Sequence, residues 1–219
     1  DCLVAARKLA EAYPVELVNS VNPDRIQGQK TGSFEVVDVL GDAPTIHALP
    51  VGNAGNITAY WKGYVEYLEA GVSTHLPQMW GFQAAGAAPI VAGHPITDPE
   101  TIATAIRIGN PASWEQAVEA RDTSKGVIES VTDEQILLAH RILSAEVGVF
   151  VEPASAAGVA GIISRAERGL VPAGARIVVT VTGHGLKDPQ WALRTADGSE
   201  IVPQRVTADV VSIADALGL

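Results

Sequence analysis

Apolar and polar positions along the chain fall into short blocks that alternate between a strand-like and a helix-like rhythm. Residues 1–12 read as a helix, and VELVNS (15–20) as a short strand. Asn22 to Leu40 is a helix-length segment whose later part, Phe34, Val36, Val37, Val39 and Leu40, is apolar. Ile46 to Val51 is apolar enough for a strand buried on both faces. After the turn GNAGN, Ile57, Tyr60, Trp61, Tyr64, Val65 and Leu68 recur at helical spacing, and Gly71 stops that helix. Gly81 to Val91 begins as a strand and passes into small residues; Pro99 to Ile108 predicts a short helix and GNPASW a loop. Thr132 and Gln135 have capping-box spacing before a helix over Glu134 to Glu146. A short strand at Val149 to Val151, a small-residue helix opened by EPASA and ending near Gly169, and a strand over Arg176 to Thr182 complete the pattern. Strands alternating with helices imply crossover connections, hence an α/β fold with an open, mostly parallel sheet and helices on both faces.

Composition narrows the function classes. The net charge is −10 and the basic residues are scattered, so no basic stripe exists to neutralise a nucleic-acid backbone. No stretch approaches the roughly 20 apolar residues of a membrane helix, and the first residues have no secretory apolar block. A single cysteine, Cys2, excludes an internal disulfide and fits a reducing, cytoplasmic setting; Cys and His have no zinc spacing.

Three loops carry candidate chemistry. Pro50-Val-Gly-Asn-Ala-Gly-Asn56 joins a buried strand to an amphipathic helix. Its glycines allow a tight turn, and the helix start adds unpaired N–H groups and a positive dipole end, which suits a phosphate without any lysine or arginine. A plain strand-to-helix turn is the alternative. Thr182-Gly-His-Gly-Leu-Lys-Asp-Pro189 follows the last strand, so it should share the ligand side of the sheet, with Thr182 offering a hydroxyl. His184 reads equally as a loop histidine with a local hydrogen bond, and Lys187 and Asp188 as an exposed charge pair. Asn19-Ser-Val-Asn-Pro-Asp-Arg25 collects amides, a hydroxyl and a guanidinium fit for an oxyanion. Helix capping by Asn22 and Pro23, with Arg25 solvated, explains the same residues.

Taken in order, VNSVNPDRIQGQKTGSFE, PVGNAGNITAYWKGY, GFQAAGAAPIV, TIATAIRIGNPASW, VFVEPASAAG and VTGHGLKDP closely resemble the threonine synthases, of the fold type II (tryptophan-synthase-β-like) family of pyridoxal-phosphate enzymes. The resemblance spans nearly the whole chain up to Trp191. It implies that Gly52, Asn53, Ala54, Gly55 and Asn56 hold the phosphate of pyridoxal 5'-phosphate and that Thr182 meets the cofactor's ring nitrogen. It further implies that Asn19, Ser20 and Arg25 bind the substrate's phosphate. The implied enzyme is a carbon–oxygen lyase that turns O-phospho-L-homoserine and water into L-threonine and phosphate, working as a homodimer.

The resemblance also implies a lysine that bonds covalently to the cofactor, within a Ser-Phe-Lys-Asp-Arg motif. Lys8, Lys30, Lys62, Lys125 and Lys187 all lack that context. The expectation is therefore that this lysine lies upstream of Asp1, that residues 1–20 end a small N-terminal domain otherwise missing, that 21–219 form most of the large cofactor-binding domain, and that the chain is inactive alone. Two other readings stand beside this one. One is another fold type II enzyme, such as a threonine or serine ammonia-lyase or a cysteine synthase. The other is a non-catalytic or split-subunit relative that binds a phosphorylated ligand.

Overall fold

The computed structural model describes residues 2–18, 22–191, 193–194, 199–202 and 204–219. Strand β1 (Ile46–Pro50) is buried along its whole length, as its apolar run requires. It pairs in parallel with β2 (Gln78–Ala84) on one side and β4 (Ile177–Val179) on the other, and β2 pairs in parallel with β3 (Val127–Val131). Among the described residues the sheet runs in the order β3-β2-β1-β4.

The two-residue period of the strands divides the core. Ile46 and Ala48 of β1 and Trp80, Phe82 and Ala84 of β2 pack on one face, against α7 (Asp133–Ala145) and α8 (Pro153–Glu167). Leu49 and Met79 point the other way, against α4 (Gly55–Glu69) and α6 (Trp114–Thr123). Helices therefore cover both faces, as expected. The small residues of α8 bring it unusually close to the sheet: a Cβ on Gly161 would fall inside the Phe82 ring, and one on Gly158 would meet Val179 and the Leu49 backbone. On the other face, Gly81 leaves room for Val51, Ile128 and Ile57.

The chain moves outward from β1 to β2 to β3, then α7 and α8 carry it back to β4 beyond β1. The connections reverse direction between β1 and β4. In an open parallel sheet this is where a crevice forms at the carboxyl ends of the strands.

Several local expectations need correction. Residues 15–18 form no strand; Val18 is 70% exposed, and no neighbouring strand among the described residues offers it a ladder. The Asn22–Leu40 segment is two helices, α2 (Pro23–Gln29) and α3 (Thr31–Leu40), broken at Lys30. Only Thr104–Ile106 of the 99–108 segment turns, as one short 3₁₀ helix. Tertiary bonds hold the rest: Thr101 Oγ1 and the Ile102 N–H both donate to Asp133, and the Glu100 N–H donates to Gly86. Val149–Val151 contributes a single antiparallel bridge, Val151 to His184, and the last strand stops at Val179. Both bonds of the capping box are present, with Gln135 N–H donating to Thr132 Oγ1 at 3.3 Å and Gln135 Oε1 accepting from Thr132 N–H at 2.9 Å. Helices α1 (Cys2–Ala12), α5 (Pro89–Ala92) and α9 (Val210–Leu217) complete the order.

Candidate functional site

At the carboxyl ends of β1 and β4 lies a cleft of about 310 Å³, and the loops singled out from the sequence meet there. Gly52, Asn53, Ala54, Gly55 and Asn56 line one wall, Thr182 and Lys187 another, and Arg25, Ile26 and Gln29 of α2 the rim.

The first loop is held in shape from several directions. Asn56 Nδ2 donates to the Pro50 carbonyl at 2.7 Å, closing the turn across its own base. The Ser113 N–H donates to the Asn53 carbonyl at 3.0 Å, so the GNPASW loop straps it from outside. A Cβ on Gly52 would lie 3.1 Å from Ile106 Cα and 3.2 Å from the Ala105 carbonyl, so only glycine leaves the contact relaxed. Ala54 sits in the left-handed region at φ 66°, a strained conformation that turns the chain sharply into α4. The N-cap residue Ala54 offers α4 no side-chain bond, while Asn56 Oδ1 accepts from the Ile57 N–H at 2.9 Å. The positive dipole end of α4 opens on the cleft through Ala54, Gly55 and Asn56, which line it, an arrangement able to hold a phosphate dianion.

Across the cleft, Thr182 is exposed while its neighbours are locked. The N–H groups of Thr182 and Gly183 donate to Ser155 Oγ at 3.1 and 2.6 Å, and Thr182 Oγ1 lies 2.9 Å from the same atom. Glu152 also lines the cleft and is 5% exposed; burial raises its carboxyl above the ordinary range, Lys187 opposes that and Asp188 adds to it. A Cβ on Gly183 would land on the Glu152 carboxyl, which explains glycine there.

The pairing of Lys187 and Asp188 as one exposed charge pair is corrected. Asp188 is buried and accepts from Thr104 Oγ1 at 3.1 Å, tying the second loop to the Thr104–Ile106 turn, while only Lys187 is exposed. His184 has the local bond foreseen for it, accepting from the Leu186 N–H at 3.2 Å. Asn22 does cap α2, accepting from the Asp24 N–H at 2.8 Å with Pro23 in the first turn. That cap and the cleft are compatible: it orients α2 so that exposed Arg25 lines the rim. Asn19 and Ser20 lie outside the described residues.

Sequence reasoning missed Ile26, Gln29, Ala105, Ile106 and Glu152 as lining residues. The signal for Gln29 was its spacing of four from Arg25, which puts both on one helix face. Glu152 could have been found as an acidic residue amid a small apolar run at a helix start. Ala105 and Ile106 carry no signal of their own; they reach the wall through their packing beside Gly52.

Among the described residues no cluster of His, Cys, Asp and Glu could hold a metal ion, and no helix is long and apolar enough to cross a membrane. Comparison with known proteins is decisive about family. Residues 1–183 match the family model described as pyridoxal-phosphate dependent enzyme. The threonine synthase of Mycobacterium tuberculosis is 57% identical over 220 residues, covering 100% of this chain and 60% of that protein. That of Synechocystis is 55% identical over 218 residues, covering 100% and 56%. This chain therefore spans 56–60% of the length of these two relatives. A pyridoxal 5'-phosphate-dependent aspartate racemase shares the fold with a TM-score of 0.68 at 18% identity, covering 86% of this chain and 58% of that one. The positive end of α4, opening on a cleft that Thr182 also lines, suits the phosphate of pyridoxal phosphate. The chain belongs to the pyridoxal-phosphate dependent enzyme family.

Proposed function

We propose that this chain supplies the cofactor-phosphate loop and part of the substrate rim of a threonine synthase, which converts O-phospho-L-homoserine and water into L-threonine and phosphate. One observation carries the reading: the turn of Gly52 to Asn56 and Arg25 of helix α2 line the same cleft, an arrangement suited to two phosphate groups. The identity to threonine synthases over the full chain supports it.

When bound, pyridoxal phosphate supplies an electron sink for charge developing next to the substrate's amino group. The N–H groups of Gly52 to Asn56 would anchor the cofactor's phosphate with no lysine or arginine in the loop itself. Thr182 presents a neutral hydroxyl to the ring nitrogen, which leaves the ring largely unprotonated. Arg25 takes the substrate's phosphate, and its fork geometry suits that group better than an ammonium would. Arg25 and Lys187, both exposed on a molecule of net charge −10, put local positive potential at the mouth through which an anionic substrate enters. Asn19 and Ser20 assist Arg25 in this reading. The lysine bonded to the cofactor, and with it the main acid–base work, belongs to a preceding small domain that ends near residue 20. The large domain runs over 21–219, and the protein works as a cytoplasmic homodimer.

The reading is tested with protein from the complete gene, supplied with pyridoxal phosphate. Threonine and phosphate should form in equal amounts from O-phospho-L-homoserine, with no ammonia from threonine or serine; the reverse pattern would assign an ammonia-lyase. Within that assay, Arg25→Ala should raise KM roughly tenfold with little change in kcat, because an exposed guanidinium contributes ground-state attraction more than transition-state chemistry. An unchanged KM would remove Arg25 from the substrate site.

A further inference from the structure

Ser155 has no part in the reading above, yet it is the most constrained polar side chain near the cleft. It is the third residue of α8, is 0% exposed, and reaches across to the loop after β4. A hydroxyl has one proton to give and two lone pairs to receive with. Both lone pairs of Ser155 Oγ are taken by main-chain donors, the N–H groups of Thr182 at 3.1 Å and Gly183 at 2.6 Å. Its own proton has two acceptors in reach, Thr182 Oγ1 at 2.9 Å and the Gly183 carbonyl at 3.1 Å. Whichever acceptor takes that proton, Ser155 has no lone pair left for the hydroxyl of Thr182. Thr182 must therefore donate its proton elsewhere, and the side on which it is exposed is the cleft.

We infer that Ser155 is a positioning residue that fixes Thr182 as a hydrogen-bond donor into the cleft, toward an unprotonated aromatic ring nitrogen. This rests on the assignment of Thr182 to the cofactor ring. The outward proton of Thr182 suits a hydrogen-bond acceptor, and a neutral pyridine-type nitrogen is one, whereas a hydroxyl stabilises a protonated ring less than a carboxylate would. Ser155 acts twice, holding the backbone of residues 182–183 in place and settling the direction of the Thr182 hydroxyl. A carboxylate would hold a pyridinium instead, so the pair biases the bound cofactor toward its neutral ring.

The experiment is a double-mutant cycle on the full-length protein from the complete gene, with Ser155→Ala, Thr182→Val and both together. Two quantities are read: the dissociation constant for pyridoxal phosphate, and the pH dependence of the bound cofactor's visible absorption. Ser155→Ala should weaken cofactor binding about tenfold and shift the pH profile, while on the Thr182→Val background it should change binding less than about twofold. Equal losses on both backgrounds would overturn the inference and leave Ser155 as a packing residue. If Thr182→Val itself leaves affinity and spectrum at the parent values, the assignment of Thr182 falls, and the positioning role with it. Neither readout uses phosphohomoserine, so loss of the threonine synthase reading alone would not disturb them. Should Ser155→Ala fail to fold, Ser155→Cys, which keeps the size and weakens the bonds, replaces it with the same expected and overturning results.

Discussion

Gly55→Asp is expected to leave the fold intact and to weaken pyridoxal phosphate binding by at least about a hundredfold. Gly55 is the first residue of α4, and a Cβ there would meet only Ile26 Cδ1, at 3.5 Å, an ordinary contact. An aspartate in the first turn suits the positive end of the helix dipole and removes a helical glycine, together worth about 1 kcal/mol of stability. The same carboxylate occupies the wall that should receive the cofactor's phosphate. Two unit charges about 4 Å apart repel by about 4 kcal/mol at an effective dielectric constant near 20, and a phosphate monoester carries nearly two. The variant thus separates binding from folding, because its melting temperature should hold or rise while affinity collapses. Parent-like affinity for pyridoxal phosphate in this variant would mean that the Gly52–Asn56 loop is only a turn.

His47 should give the second large effect, on stability as a function of pH. It lies in β1, 0% exposed, with Nδ1 2.8 Å from the Tyr64 hydroxyl and Nε2 2.6 Å from the Thr180 hydroxyl. Its ring stacks on Tyr60 with centroids 5.0 Å apart. Burial holds its pKa down, from 6.5 to about 4. Between those values the unfolded chain binds a proton that the folded chain refuses, so stability falls as pH drops through that window and is unaffected above it. The loss by pH 4 approaches roughly 3 kcal/mol as an upper bound, since one pKa unit corresponds to about 1.4 kcal/mol. Carboxylates titrate in part of the same range, so the test compares urea unfolding of the parent with His47→Gln at pH 7.5 and pH 4.5. The variant should start less stable and lose less on acidification; parallel losses would show that His47 is not the acid-sensitive group.

What could be seen beforehand depended on whether local chemistry or distant contacts decide a segment. Ile46–Pro50, Thr132 with Gln135, and the small-residue face of α8 carry their own instructions: burial on both faces, a reciprocal cap, and room to approach the sheet. The strand-to-helix turn over Gly52 to Asn56 was legible for the same reason, because glycine and a helix start are local facts. Residues 99–108 look helical by composition, yet their backbone donors are spent on Gly86 and Asp133, partners remote in sequence. Strand β3 and helix α6 were not foreseen. Glu129 interrupts β3 and becomes sensible only when Arg165 and Arg168 of the α8 end pair with it. Helix α6 buries just Ala117 and Ala120, too narrow an apolar stripe to stand out. At the site, the bridging of Ser155 to Thr182 and the burial of Glu152 and Asp188 arise where α8 meets the loop after β4, and no spacing along the chain announces that meeting.

The central claim is tested most directly by a crystal structure of the complete protein with pyridoxal phosphate bound. The cofactor's phosphate should rest on the N–H groups of Gly52 to Asn56, with its ring nitrogen facing the Thr182 hydroxyl. A phosphate held by side chains elsewhere, or a ring nitrogen turned away from Thr182, would contradict it.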